Sequence, residues 1–410
     1  MVSAQRPARL VSSVAGAIGL CILGDSLLYS ILPLEAARVG MPLSLVGVLL
    51  SANRLVRLAT NSGASILFER WGPYASFLLA CGVGLCSTML YGVSRNFLLL
   101  LAARMIWGAA WSALRQGGYQ AVWSGAPEHK GRLTGLLWGI IRLGSAVSVL
   151  LGGVLYDRVG FTMTLVVISC ITALAIPVAY LLRWPPAAVG VAKHVAASPA
   201  VGERVWRRWR QLLVEALAPP VQRWLTIAGG LQLLSSSVVI ATSSLLLAGV
   251  AGCQNAINRL GVATVTGLLQ GARWLSDITV GPAFGYVSDR LGQANTAALL
   301  VGVSLLSMAG LAFLPAAAAI YCLLFVLLCD SGLTVTLNAA ATGIAVHTAR
   351  PHRFIGVFTT VTDLGSALGP LFALSVGQAI GFSTLYLVVG AACLTAIWRY
   401  RWLAHTRRRA

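Results

Sequence analysis

The chain has 410 residues, 58% of them hydrophobic and only 10% charged; water-soluble domains carry about 25% charged residues, so a soluble globular protein is excluded. A formal net charge of +19 would point to nucleic acid in a soluble chain. Here the basic residues are scattered over short loops, and no nucleic-acid partner is expected. Taken in chain order, the apolar runs predict twelve spans, at 11–34, 43–68, 73–94, 97–123, 132–156, 161–183, 222–249, 262–288, 294–314, 318–346, 353–379 and 382–402. Each can cross a hydrocarbon core of about 30 Å as a helix. A β-barrel is excluded, because the runs are too long and lack period-2 alternation. The expected fold class is an all-α integral membrane protein of two six-helix halves. The span at 222–249 is the weakest, being rich in serine; the Asn255–Arg259 turn marks its end.

One long break interrupts the runs, at 184–221. It opens on Pro185-Pro186 and ends in a basic stretch in which Trp206 and Trp209 share a helical face. The chain thus divides into an N-terminal half (1–183), a linker (184–221) and a C-terminal half (222–410). The linker reads as a helix lying on anionic lipid, with a regulatory or partner site as the alternative. All other loops are short and leave no room for a soluble catalytic domain.

With the first span leaving the cytoplasm, 20 Lys/Arg fall in cytoplasmic segments or at the cytoplasmic ends of spans, 4 outside (Arg38, Arg95, Arg158, Arg259) and 6 deeper within spans. That bias predicts a multi-pass protein with both termini cytoplasmic. Arg6 and Arg9 precede a run too long for a cleaved signal peptide, so the first span is expected to stay. The eight cysteines have no paired spacing and read as small apolar residues. Arginine outnumbers lysine 28 to 2, which fits a GC-rich bacterial genome and an inner membrane.

The chain repeats itself. Glu69-Arg70-Trp71-Gly72 returns as Asp289-Arg290-Leu291-Gly292, at an offset of 220. Arg132-x-x-Gly135 returns as Arg353-x-x-Gly356, and Gly160-Phe161 as Gly381-Phe382, at an offset of 221. Between those anchors Arg142-Leu143-Gly144-Ser145-Ala146 aligns with Asp363-Leu364-Gly365-Ser366-Ala367, one charge exchanged for the other. A duplicated hydrophobic chain is the mark of a two-halved membrane transporter with its site at the seam.

The acidic-Arg-x-Gly box after the second and eighth spans resembles motif A of the major facilitator superfamily. Its second copy, Gly285-x-x-x-Asp289-Arg290-x-Gly292, fits well; the first has Ser65 for the usual glycine and Glu69 for aspartate. The resemblance implies that Glu69, Arg70, Gly72, Gly285, Asp289, Arg290 and Gly292 gate the cycle. Arg104-x-x-Trp107-Gly108 resembles motif B, with Trp where Gln is usual, which implies a part for Arg104 in proton coupling. The antiporter motif C is split: Gly135, Gly144 and Gly152-Gly153 stand in span 5 without Gly-Pro, and Gly356-x8-Gly365-x3-Gly369-Pro370 in span 11. Close helix packing accounts for these small residues without fixing a direction of transport.

A charge at mid-membrane costs about 2.5–3.5 kcal/mol, so each should have a partner or a wet cavity. Six arginines (54, 57, 104, 115, 142, 273) and four carboxylates (Asp25, Asp277, Asp330, Asp363) lie within spans. In the superfamily span 2 faces span 11 and span 5 faces span 8, which implies two pairs across the seam, Arg57–Asp363 and Arg142–Asp277. The alternative pairs Asp277 with Arg273, one turn earlier on the same helix. Spans 1, 4, 7 and 10 line the cavity in that family. Asp25 and Asp330 are therefore proton-site candidates with Arg104, against a purely structural pairing with it. Arg54, Arg115, Trp107, Trp111 and Asn338 are substrate-cavity candidates, with Gln232 and Gln270 as orienting groups and Tyr119 beside the tryptophans; the tryptophans are alternatively packing residues. Arg54, Arg104 and Arg115 could instead hold an anion, and Arg115 could simply reach the interface.

The resemblance implies a monomeric secondary transporter of a small organic solute, working by alternating access and coupled to protons, with efflux favoured. An organic-anion or phosphate-ester carrier is the alternative, and a transporter-like sensor or scaffold the reading of another class. No Gly-x4-Gly-Lys-Ser/Thr, nucleophile–base pair or metal spacing occurs (His347 and His352 only flank a loop), so neither ATP drive, an enzyme, a cofactor nor a metal is expected.

Overall fold

The computed structural model describes residues 7–93, 95–125, 129–185, 217–249, 259–314, 318–346, 348 and 351–409. The linker face carrying Trp206 and Trp209 and the turn at Asn255 lie outside them. Thirteen helices follow in order among the described residues: α1 Pro7–Cys21, α2 Leu23–Val39, α3 Leu43–Val93, α4 Phe97–Trp123, α5 Lys130–Ala173, α6 Ala175–Tyr180, α7 Pro220–Gly249, α8 Val262–Thr279, α9 Gly281–Leu291, α10 Gln293–Phe313, α11 Ala319–Val346, α12 Pro351–Ile380 and α13 Phe382–Arg409.

These make the twelve spans. Among the described residues ten stretches are long and apolar enough to cross a membrane, and one of them, Arg132–Tyr180, has 49 residues; it bends at Gly160 and counts twice. The twelfth is α8 with α9, carried across their join by backbone bonds from Val280 to Ser276 (2.9 Å) and from Phe284 to Val280 (3.0 Å). Its polarity, from Arg273, Asp277, Asp289 and Arg290, makes it the weakest span by composition. The serine-rich 222–249 stretch is instead part of one continuous helix of 30 residues. Its serines turn inward: Ser236, Ser237, Ser243 and Ser244 are all buried. Large apolar side chains such as Leu306 (74% exposed) and Phe313 (80%) stand outward, as a lipid solvent requires.

Among the described residues six glycines have positive φ: Gly40, Gly72, Gly160, Gly261, Gly292 and Gly381. They form three pairs under the internal repeat, 40 with 261, 72 with 292 and 160 with 381. Each marks a sharp turn between consecutive spans, where a residue with a Cβ would be strained. The repeated motifs are thus first of all repeated turns.

The chain forms two compact units. The first comprises Met1–Ala196 and Ala256–Leu275, the second Ala197–Asn255 and Ser276–Ala410; α8 therefore begins in the first and ends in the second. The first unit buries Leu10, Ile18, Leu27, Leu49, Trp107, Leu114 and Val149. At Gly144 a Cβ would meet the carbonyl of Gly19 at 2.6 Å, so α1 and α5 touch backbone to backbone. The second unit is built around Leu225, Leu300, Leu333, Phe354, Phe358 and Ile397. There a Cβ on Gly365, the repeat partner of Gly144, would run into Gly230 of α7. The small residues of the split motif serve helix packing in both copies.

Candidate functional site

In the first unit the chemistry centres on Arg104 of α4, only 1% exposed. Its Nη1 donates to Asp25 Oδ1 at 2.5 Å, and Asn53 Nδ2 donates to the same oxygen at 2.9 Å. Nε donates to the Leu49 carbonyl (3.0 Å), and Nη2 to the Tyr29 hydroxyl (3.3 Å) and the Leu50 carbonyl (3.4 Å). Tyr29 itself donates to Leu50 O at 3.1 Å. A buried ion pair persists only if its remaining donors and acceptors are satisfied, and here three spans contribute to that end. The guanidinium also lies 5.3 Å from the Tyr29 ring centre and 5.9 Å from that of Tyr91.

Further cations of this unit stand on α3, α4, α5 and α8. Arg54 stacks over Tyr29 at 5.0 Å, and Arg57 over Trp111 at 5.3 Å. The Nε of Arg57 is buried and has no hydrogen-bond partner among the described residues. Arg57 is within electrostatic reach of Asp25, Arg54 and Arg115. Thr60, Asn61 and Ser112 extend the polar track, with Ser112 donating to Asn61 Oδ1 at 2.8 Å. Trp107 is fully enclosed, and its ring centre stands 6.0 Å from that of Trp111. Tyr119 packs on Trp138 at 6.4 Å. Arg142 lies over Trp274 at 4.7 Å, and Arg273 over the same ring at 4.4 Å. Ser30 donates to Gln270 at 3.0 Å.

In the second unit two neutral groups donate to the carboxylate of Asp330 on α11. Gln232 Nε2 donates to Oδ1 at 2.6 Å and Ser236 Oγ to Oδ2 at 2.7 Å, both from α7. Asp330 lines a cavity of about 20 Å³ with Gln232, Ser235, Ser236 and Ser304, room for about one water. Ser331 donates to Asp277 Oδ1. Asn338 is exposed and donates to the Thr334 carbonyl one turn back, at 2.7 Å. Asp363 is half-buried on α12. Arg57 and Arg142 belong to the first unit, and Asp363 and Asp277 to the second.

The turn motifs keep their charges at the surface: Glu69, Arg70, Asp289 and Arg290 are exposed, and Gly285 half-buried. Arg290 covers Tyr286 at 4.6 Å. Beside Gly292, Asn295 accepts from Arg401 Nε of α13 at 2.8 Å.

Five participants are absent from the candidates drawn from sequence: Tyr29, Asn53, Ser236, Glu35 and Asp157. Tyr29 and Ser236 each stand four residues after a candidate or orienting group, Asp25 and Gln232, so the helical spacing carried a signal. Glu35 falls beyond the expected end of span 1. In the structure α2 continues to Val39, and Glu35, 3% exposed, accepts from Tyr156 at 3.0 Å. Among the described residues no three His, Cys, Asp or Glu gather as a metal site, and the seven described cysteines are free.

The family model for the Major Facilitator Superfamily matches residues 14–354. The human vesicular acetylcholine transporter (Homo sapiens) is 25% identical over 129 residues, 31% of this chain and 24% of the relative. The synaptic vesicular amine transporter of Bos taurus is 30% identical over 132 residues, 32% of this chain and 25% of the relative. This chain therefore covers about a quarter of the length of these curated relatives. Among solved structures, the nucleoside transporter NupG superposes with a TM-score of 0.75 over 97% of this chain and 98% of its own, at 11% identity; a variant of it gives 0.76 at 12%, over 97% and 99%. At such identity the likeness is one of fold. Twelve spans in a duplicated chain, a buried Asp–Arg pair and the family match lead to one conclusion: this multi-pass membrane protein belongs to the Major Facilitator Superfamily.

Proposed function

We propose that the chain exports a small organic solute across a bacterial inner membrane in exchange for protons, as a monomer with both termini in the cytoplasm. The observation that carries the proton reading is the contrast between the two buried aspartates. Protonating Asp25 would leave the Arg104 charge buried beside a neutral partner, at a cost of about 3–5 kcal/mol. Asp330 is held by an amide and a hydroxyl and lines a cavity with room for water. Taking up a proton there rearranges the hydrogen bonds from Gln232 and Ser236. Asp330 is thus the proton carrier in this reading, and Asp25–Arg104 the fixed strut of the first unit. The seam pairs Arg57–Asp363 and Arg142–Asp277 are its proposed conformational contacts, and the motif A turns its gates.

The matched region of the vesicular amine and acetylcholine transporters favours an amine-type solute. A second reading has its own support. Arg54, Arg57 and Arg115 form a cationic track with a buried, unsatisfied Nε at Arg57, which suits an organic anion or phosphate ester.

Thermal stabilisation of the purified protein separates the two. Acetylcholine, serotonin, uridine, citrate and glycerol 3-phosphate would each be added at pH 5.5 and 7.5. Stabilisation by the amines, greater at pH 7.5 and lost in Asp330→Asn, supports proton-coupled export. Stabilisation by citrate or the phosphate ester, lost in Arg57→Gln, replaces it with the anion carrier.

A further inference from the structure

Where α2 stops and α8 starts, at the end that the charge bias assigns to the outside, Asp157 of α5 holds the first turn of α8. Its Oδ2 accepts from the Thr264 backbone N–H and from the Thr264 hydroxyl, each at 2.7 Å, and its Oδ1 from the Ala263 N–H at 3.4 Å. The first N–H groups of a helix have no partner within it, and a carboxylate there gains both hydrogen bonds and the favourable end of the helix dipole. Such a cap ordinarily comes from the residue just before the helix. Here it comes from another span.

Gly261 shows that the arrangement is built. It stands just before α8 with φ +90°, and a Cβ on it would fall on the Asp157 carboxyl group. Its repeat partner Gly40, φ +68°, has nothing within 4 Å of that position. The contact is therefore a property of one copy and not a by-product of the duplicated turn. The neighbouring Tyr156 donates to Glu35 of α2, so two adjacent residues of α5 fasten two other helices. One layer inward Ser30, fully buried, joins α2 to Gln270 of α8.

We propose that Asp157 is a gating residue: it latches the first turn of α8 to α5 and so closes this end of the solute path, and the transport cycle requires its release. The proposal rests on the alternating-access reading, and its test reads the latch without any solute, so that either can fail alone.

The test uses the full chain in lipid nanodiscs with Ser30→Cys as a reporter. A membrane-impermeant maleimide is followed by mass spectrometry at that cysteine, and hydrogen exchange at residues 262–266. Asp157→Ala, and independently Gly261→Ala, which displaces the carboxylate, should raise labelling about fivefold and local exchange about tenfold, leaving other helices unchanged. Asp157→Asn keeps one acceptor oxygen and should fall between. Unchanged labelling in both variants, or exchange that rises equally in every helix, overturns the latch.

Discussion

Arg104 and Asp25 face each other at 2.5 Å, and Asn53 supplies a further hydrogen bond to the carboxylate at 2.9 Å. The pair joins α2 to α4, and the Leu49 and Leu50 carbonyls of α3 and the Tyr29 hydroxyl accept further guanidinium bonds. Removing one member leaves the other charged and desolvated. Arg104→Leu or Asp25→Ala alone should cost about 3–5 kcal/mol, whereas the double variant Asp25→Asn with Arg104→Met should recover most of it. Unfolding of the purified variants in detergent checks this; equal loss in the single and double variants would contradict it.

Asp330→Asn is a different kind of change. The amide keeps the shape, and Gln232 and Ser236 can reorient around it. Melting temperature should stay within about 2 °C of the parent, because only charge and not packing is altered. A larger drop, seen by scanning fluorimetry, would mean that Asp330 is structural.

The paired turns separate backbone strain from crowding. Gly40→Ala meets only the cost of a positive φ, about 1–2 kcal/mol. Gly261→Ala meets that cost and the Asp157 carboxyl group, and should be less stable than Gly40→Ala by about a further 1 kcal/mol or more. Equal stability of the two in a denaturant titration would show that Asp157 moves aside freely.

The split glycine motif allows an internal control. Gly365→Ala should destabilise by about 1–3 kcal/mol, because its Cβ would enter the Gly230 backbone. Gly356 on the same helix has open space around it, and Gly356→Ala should be neutral or gain up to about 1 kcal/mol from helix propensity. Thermal melts of the two variants decide whether packing governs this helix.

The sequence reading was strongest where chemistry repeats locally. Gly72, Gly160, Gly292 and Gly381 stood out because the turns they make are needed twice, and the apolar runs marked the spans because lipid tolerates little else. It ranked the spans less well: serines facing other helices at 222–249 looked like weakness, and α8, where Arg273 and Asp277 cluster, was the more polar span. Asp25 and Arg104 were both singled out, but the oxygens and rings that complete their setting, Tyr29, Asn53 and two backbone carbonyls, depend on packing between spans. Glu35 and Asp157 were missed for a related reason. Near a span end a carboxylate looks like an ordinary loop charge, and only the fold shows that Tyr156 and Thr264 bind them.

The most direct test of the account is proton movement itself. Proteoliposomes containing the protein and the internal pH dye pyranine would be given an amine that stabilises the purified chain. The account predicts a change of internal pH on addition, in the direction of proton exchange, abolished in Asp330→Asn and retained in Asp330→Glu. Solute uptake without any pH change, or a pH change that survives Asp330→Asn, would contradict it.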